Sequence, residues 1–503
     1  MIGRRAFLAS SVAALALPHA LRAATPDTLQ SLYDTAQALA GQPYVAPTGV
    51  LPAPFAGLSY DAFRGIRPAI GRSAQLSVGT DLQADLLPPG LYFPDPVKID
   101  LPGPSGWQSV PFSPRLFDFD TRYFSDIDIP ENAPGADFTG LRLRAPINRP
   151  GAMDEFFVMQ GASYFRAVGK AMAYGLSARG IALGSGDPGP EEFPRFTHIR
   201  VHEGIDGAAR METVIDSPSL TGHMAITAKP GDTTRLSVSI TVFPRVTLTR
   251  AGIAPLTSMY LKGPARASVS DDFRPRVHDS DVLVIDNGAG ETLWRPIANP
   301  AGIEISAFGD ENPRAFGLYQ TPRTLGDFED GEALYHRRPS ARVVPRGDWG
   351  RGAVTLVEIP TGDEFMDNIV AFWRPDAPMM PGGAYRFDYD ILWHDAPPDQ
   401  GQGAQIRQTR AGRQHDMTAT LRYVIDFDAA ADDLGLDLSS SVPGSVFGET
   451  LFRMRDGRKR ASFLFAPGDA QAAELRLVLR DANGAAASPV WLHRWTRARD
   501  GGV

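Results

Sequence analysis

The sequence predicts an all-β protein, on three observations. Short apolar–polar alternations recur along it, as in residues 236–242 (LSVSITV), 353–359 (AVTLVEI) and 385–393 (YRFDYDILW), which is the period of a half-buried strand. Gly 50 and Pro 43, joined by Asp, interrupt these runs at frequent intervals, the punctuation expected of a sandwich. Nowhere do strands alternate with long amphipathic helices, as a parallel α/β sheet requires. Helix is expected at two places. Thr25 suits a cap and Pro26 a first helical position, with Leu29, Leu32, Tyr33, Ala36 and Leu39 at helical spacing behind them. A second, short helix is expected around residues 60–66.

A polar, Pro/Gly-rich stretch without periodicity (DAPPDQGQGA) begins at Asp395 and reads as a linker. It divides the chain into a larger β-sandwich over residues 25–395, a linker over 396–405, and a tail over 406–503. The tail carries strand-like runs at 418–425, 461–465 and 475–479; its size and spacing suit an immunoglobulin-like sandwich.

Residues 1–24 have the form of an export signal. Arg4 and Arg5 precede an uncharged, mostly apolar run over 6–17, closed by Pro18 and followed by the small residues Ala23 and Ala24. The run is shorter than the ~20 residues that span a bilayer. Paired arginines before Phe-Leu resemble a twin-arginine leader; an ordinary secretory signal with two arginines is the alternative. No other segment approaches spanning length, so the remainder is expected to be soluble. The chain has no cysteine, which removes disulfides, thiolate nucleophiles and Cys-bound metals. A net charge of −8 without a basic block argues against nucleic acid or anionic membrane as a partner.

Familiar catalytic motifs are missing. Residues 175–180 (GLSARG) lack the second glycine of a nucleophile elbow, and no phosphate loop or dinucleotide fingerprint occurs, so no cofactor is expected. His198 and His202 share a face of an extended segment with Glu203 beside them, but outside any metalloprotease pattern; no metal is expected. What remains is carboxylates among arginines and aromatics, in three segments. The first is 274–281 (RPRVHDSD), where Asp279 and Asp281 alternate and are expected to share a face. The second is 327–330 (DFED), with Tyr335, Arg337 and Arg338 close behind. The third, 358–367 (EIPTGDEFMD), runs into a buried apolar strand. Acids at the lip of a buried strand can have shifted pKa values, and glycoside hydrolysis needs two carboxyls. With 58 acidic residues in the chain, composition and spacing single out no pair. Tyr164, Trp294, Trp349, Trp373 and Trp393 could stack on sugar rings, but each is equally an ordinary β-core residue.

Longer stretches resemble one family. They include 161–167 (GASYFRA), 174–180 (YGLSARG), 191–196 (EEFPRF), 252–259 (GIAPLTSM), 274–281, 294–296 (WRP), 338–340 (RPS), 356–361 (LVEIPT) and 367–373 (DNIVAFW). In order and spacing these resemble the periplasmic glucan biosynthesis proteins of the OpgG/OpgD (MdoG/MdoD) type, glycoside hydrolase family 186. The likeness covers most of the chain and weakens in the tail, and the leader is closer to the OpgD branch.

The resemblance implies a large β-sandwich followed by an immunoglobulin-like domain, and a periplasmic role in osmoregulated glucan biosynthesis on a β-1,2-glucan backbone. It implies an inverting endo-β-1,2-glucanase, with Asp367 matching the general acid and Asp279 the general base. Tyr335 and Glu364 match cleft-lining positions, and Tyr164, Arg166, Arg337 and Trp294 are expected sugar contacts. Two alternatives stay open. One is a transglycosylase that cyclises the glucan; the other is a non-catalytic scaffold assisting a membrane glucan glucosyltransferase. A homodimer is expected on the resemblance alone. Val282, Arg342 and residues 291–293 (ETL) depart from the family's pattern, which leaves cleft shape and the choice between hydrolysis and transfer open.

Overall fold

The computed structural model describes residues 31–47, 51–72, 75–103, 106–265, 272–401, 403–415, 417–428 and 432–500. The leader and the Thr25–Pro26 helix start lie outside them. Within them the first helix is Leu32–Ala40, where the Ser31 hydroxyl accepts from the Asp34 N–H. Leu32 and Ala36 face inward against Val214 and Phe243. The second helix, Tyr60–Arg64, is capped in the same way by Ser59. Each cap satisfies an N–H that the first turn would leave bare.

Everything else of size is strand. One eleven-stranded sheet runs from Gln75–Gly79 through Asp154–Gln160, Tyr164–Ala167, Ser177–Arg179, Ala251–Ser258, Ile369–Pro375 and Arg351–Glu358 to Glu304–Glu311. A fourteen-stranded sheet includes Thr292–Pro296, Val282–Asp286, Ala315–Tyr319, Ser340–Arg346, Tyr385–His394, Thr234–Pro244, Leu220–Lys229, Ala208–Asp216 and Arg195–Ile205. The alternation seen in residues 236–242 becomes literal here: Leu236, Val238, Ile240 and Val242 are buried together in the main core. Four of the five aromatics weighed for sugar stacking belong to cores. Trp373 and Trp393 are fully enclosed, and Trp349 packs edge-on to Tyr389.

The tail supplies a four-stranded sheet, Ile406–Gln414, Met417–Phe427, Lys459–Phe465 and Val446–Arg453. Its other strands, Gly435–Ser440, Ala472–Arg480 and Val490–Thr496, extend the fourteen-stranded sheet. Val490–Thr496 pairs parallel to Thr292–Pro296, with Trp294 opposite Trp491. A second core therefore mixes tail residues such as Tyr423, Phe463 and Trp491 with Val282, Val284, Trp294 and Tyr319. The stretch before the tail is irregular yet anchored: the buried Gln400 side chain exchanges two hydrogen bonds with the Ile406 backbone, at 2.7 and 2.9 Å. Among the described residues no helix is long and apolar enough to cross a membrane.

His198 and His202 are occupied by carboxylates. His198 Nε2 lies 2.7 Å from Asp100, while His202 and His223 flank Glu212 at 2.6 and 3.2 Å. No metal-binding group of three or more such residues occurs among the described residues. Burial pushes the Asp100 carboxyl up, but bonds from His198 and Ser109 outweigh it and hold the group at about 2. A carboxyl depressed in the folded state contributes stability that is present above its unfolded pKa of about 3.9 and lost as pH falls through its folded value. Stability should therefore fall between pH ~4 and ~2, and His198→Ala should flatten that fall while lowering stability at neutral pH. Urea denaturation across the pH range measures both.

Candidate active site

Three sheet-edge loops bring the acidic segments together. The loop between Arg351–Glu358 and Ile369–Pro375 carries Glu364 and Asp367, and its backbone is tied down. The buried Asn368 side chain accepts from the Tyr260 N–H at 2.8 Å and donates to the carbonyls of Tyr260 and Ile359 at 3.1 and 2.9 Å. Asn299 likewise holds Thr361 through its N–H and carbonyl, at 3.0 and 2.9 Å. Asp367 thus follows directly from a pinned residue.

Asp279 follows the two-residue strand Val277–His278, and its N–H donates to the Met259 carbonyl at 2.8 Å. It is 3% exposed. Arg338 Nη1 donates to its Oδ1 at 2.5 Å. Burial pushes the Asp279 carboxyl up, the Arg338 guanidinium opposes the rise, and the negative charge of Asp367 adds to it. The two aspartates therefore share one field. Asp367 is more open and sits 3.7 Å from Arg166 Nη2, whose Nε is fixed on Ser177 Oγ at 2.6 Å.

Arg338 also belongs to a second polar array. Tyr335 Oη donates to Glu364 Oε2 at 2.5 Å, and Arg274 Nη1 donates to the same oxygen and to Asp330 at 2.8 Å. The Arg338 guanidinium lies 4.1 Å from the Tyr335 ring centroid. Burial, then the bond to Glu364, pushes the Tyr335 hydroxyl well up, so it acts as a donor. Tyr164 is half-buried. Its hydroxyl is pushed up by burial, and it feels both Asp367 and Arg179, whose guanidinium covers its ring at 5.4 Å. The glycines of residues 174–180 have a packing role here. A Cβ on Gly175 would stand 2.8 Å from Arg338 Cβ, and one on Gly180 2.5 Å from Ile215 Cδ1.

Six of the eight expected site residues gather here: Asp279, Asp367, Tyr335, Glu364, Tyr164 and Arg166. Two do not. Trp294 is 2% exposed and packs in the second core, away from the residues that hold the two aspartates. Arg337 points outward and donates to the Ala171 carbonyl at 3.0 and 2.8 Å. Its neighbour Arg338 turns inward, because the short turn Tyr335–Arg337 ends there and the backbone becomes extended. Asp281 does not share a face with Asp279. The strand stops at His278, and Asp281 accepts instead from the Thr321 N–H and hydroxyl at 2.8 and 2.6 Å. Arg274 and Arg338 were visible as motif letters, but nothing in the sequence distinguished them from the other arginines. Of the departures, Val282 is buried in the second core and Arg342 pairs with Asp286 at 2.8 Å; neither contacts the two aspartates.

A family model described as periplasmic glucan biosynthesis protein, MdoG, matches residues 28–495. The chain belongs to that family. Among its relatives, glucans biosynthesis protein G of Vibrio cholerae serotype O1 is 40% identical over 475 residues, covering 92% of this chain and 85% of the relative. The proteins of the same name from Shewanella sp. strain MR-4 and Shewanella frigidimarina are each 39% identical. They cover 93% and 92% of this chain, and 86% and 83% of their own lengths. The MdoG family match spans both sheets, the candidate cleft and nearly all of the tail.

Asn368→Ala should cost about 3 kcal/mol or more, since it strands buried backbone groups of Tyr260 and Ile359 at ~1–3 kcal/mol each. Asn368→Asp, which sets a carboxylate oxygen against the two carbonyls in place of the donors, should cost at least as much at neutral pH. Urea unfolding midpoints test the order.

Proposed function

We propose that this MdoG-family protein is a periplasmic inverting endo-β-1,2-glucanase of osmoregulated glucan biosynthesis, with Asp367 as general acid and Asp279 as general base. The observation that carries the reading is the contrast between two carboxyls in one field. Asp279 is buried and gripped by a guanidinium; Asp367 is open to a ligand beside Arg166. Enzymes that run acid and base chemistry together place two titratable groups in unlike environments in this way.

In this reading Arg338 keeps Asp279 ionised against its burial, so that it can take a proton from the attacking water. Asp367 delivers a proton toward the departing glucan oxygen. Tyr335 and Glu364, already hydrogen-bonded, orient hydroxyl groups of the sugar or of the water between the acids. The leader and the family's description support a periplasmic location, and the relatives' names support glucan as the substrate class. One observation favours a second reading in which the two aspartates exchange roles: burial raises Asp279, as suits an acid.

Purified protein incubated with linear β-1,2-glucan should yield shorter chains with inverted anomeric form at early times. Asp279→Asn and Asp367→Asn should each lower the rate about 10²–10⁴-fold. A substrate with a good aryl leaving group needs no proton on departure, so it should restore turnover to the acid's variant alone; restoration in Asp279→Asn would exchange the roles. Cyclic products would assign transfer, and binding without any product would leave a scaffold.

Arg338→Met removes the charge that opposes the burial of Asp279, so its carboxyl should rise further. A base that must be ionised then works only at higher pH. The acid limb of the kcat/KM profile should move upward and activity at mildly acidic pH should fall at least about tenfold, whereas Arg338→Lys should hold the limb nearer to wild type.

A further inference from the structure

Two large apolar side chains on segments that supply this cleft are almost fully exposed. Phe365 is 90% exposed and Phe273 is 80% exposed. Both stand on backbone that is held. The Phe365 N–H donates to Asp363 Oδ1 at 2.9 Å, within the loop that Asn299 and Asn368 secure. Phe273 sits between Asp272 and Arg274, whose side chains grip each other through a fork of bonds at 2.7–3.1 Å. Arg274 in turn donates to Glu364, the residue preceding Phe365. The two rings are thus carried on residues adjoining the two halves of one ion pair, Arg274 and Glu364, and Asp367 lies two residues beyond Phe365.

A single exposed ring is common on protein surfaces, but two whose backbones adjoin one ion pair of a candidate cleft form an apolar pair where a ligand would lie. The carboxylates around the pair, Asp272, Asp363, Glu364 and Asp367, disfavour an anionic membrane as the cover. Two separate rings offer far less than the ~800 Å² per partner of a stable subunit contact. A neutral pyranose ring fits the mixture. Its flat C–H face covers the phenyl group, while its hydroxyls reach the neighbouring carboxylates and arginines.

We propose that Phe365, with Phe273 as a second platform, stacks on glucose rings adjoining the bond to be cleaved, so that these side chains set the enzyme's preference for long glucan chains. The proposal rests on the glucanase reading above.

Steady-state kinetics on linear β-1,2-glucan and on short β-1,2-oligosaccharides test it. Phe365→Ala should raise KM on the polymer roughly three- to tenfold, the range expected of one ring–ring contact, with kcat within about twofold. The effect should shrink on oligosaccharides too short to reach the ring. Phe365→Tyr, which keeps the ring, should retain the wild-type KM, and Phe273→Ala should raise it less. Calorimetry with Asp367→Asn as the inactive background should show the same weakening of polymer binding when Phe365→Ala is added.

A wild type that cleaves glucan while both alanine variants keep its KM would overturn the stacking proposal alone. So would a loss confined to kcat, or a change in sedimentation showing that the ring belongs to a subunit contact. A wild type that neither binds nor cleaves glucan would overturn the glucanase reading and this proposal together.

Discussion

The arrangement of the cleft depends on one buried ion pair. Removing water from a carboxylate such as Asp279 costs several kcal/mol unless a partner is supplied in good geometry, and Arg338 supplies it. Much of the surrounding structure serves to keep Arg338 in position. Gly175 leaves room for its stem. Arg323 donates to its carbonyl at 2.6 Å and to Ser340 at the same distance, and the Gln320 amide donates to the Tyr335 carbonyl. Gln320 also meets His278, which lies face to face with Tyr260. The chain of contacts runs from the acid to the strand that Asn368 holds, so the two aspartates are fixed by a common framework although 88 residues (367 − 279) separate them.

How much of this was legible in the sequence differs by level. Strands were, because half-buried faces impose a period of two; residues 236–242 and 385–393 fall inside Thr234–Pro244 and Tyr385–His394. The three acidic segments were visible as clusters, and so was their chemical suitability. Their meeting was not, since pairing across sheets leaves no local trace in spacing. Nor could spacing decide between adjacent arginines. Arg337 and Arg338 differ only in where a three-residue turn ends, and that end is set by contacts with residues far along the chain. Asp279 and Asp281 illustrate the opposite error: the alternation rule holds inside a strand, and this strand ends at His278, before either aspartate.

Trp294 sits in the second core rather than beside the two aspartates, for a reason of larger scale. Its motif looked like surface chemistry because the partner that covers it, Trp491, comes from the tail. Val282 and Arg342, read in the sequence as departures from the family's pattern, lie toward the tail side of the fourteen-stranded sheet, Val282 in the second core and Arg342 paired with Asp286.

The parallel pairing of Thr292–Pro296 with Val490–Thr496 also constrains how the molecule is made. It joins positions about 200 residues apart, so the loop-closure entropy must be met before either strand gains its ladder. Until the last strands have been synthesised, Val282, Val284 and Trp294 have no cover, and the edge of Thr292–Pro296 carries unpaired backbone groups. The chain is thus committed to completing its fold late. The interval before that is the period in which an exposed edge and an apolar face are open to a wrong partner, so holding the nascent chain apart from its neighbours is a requirement written into the topology.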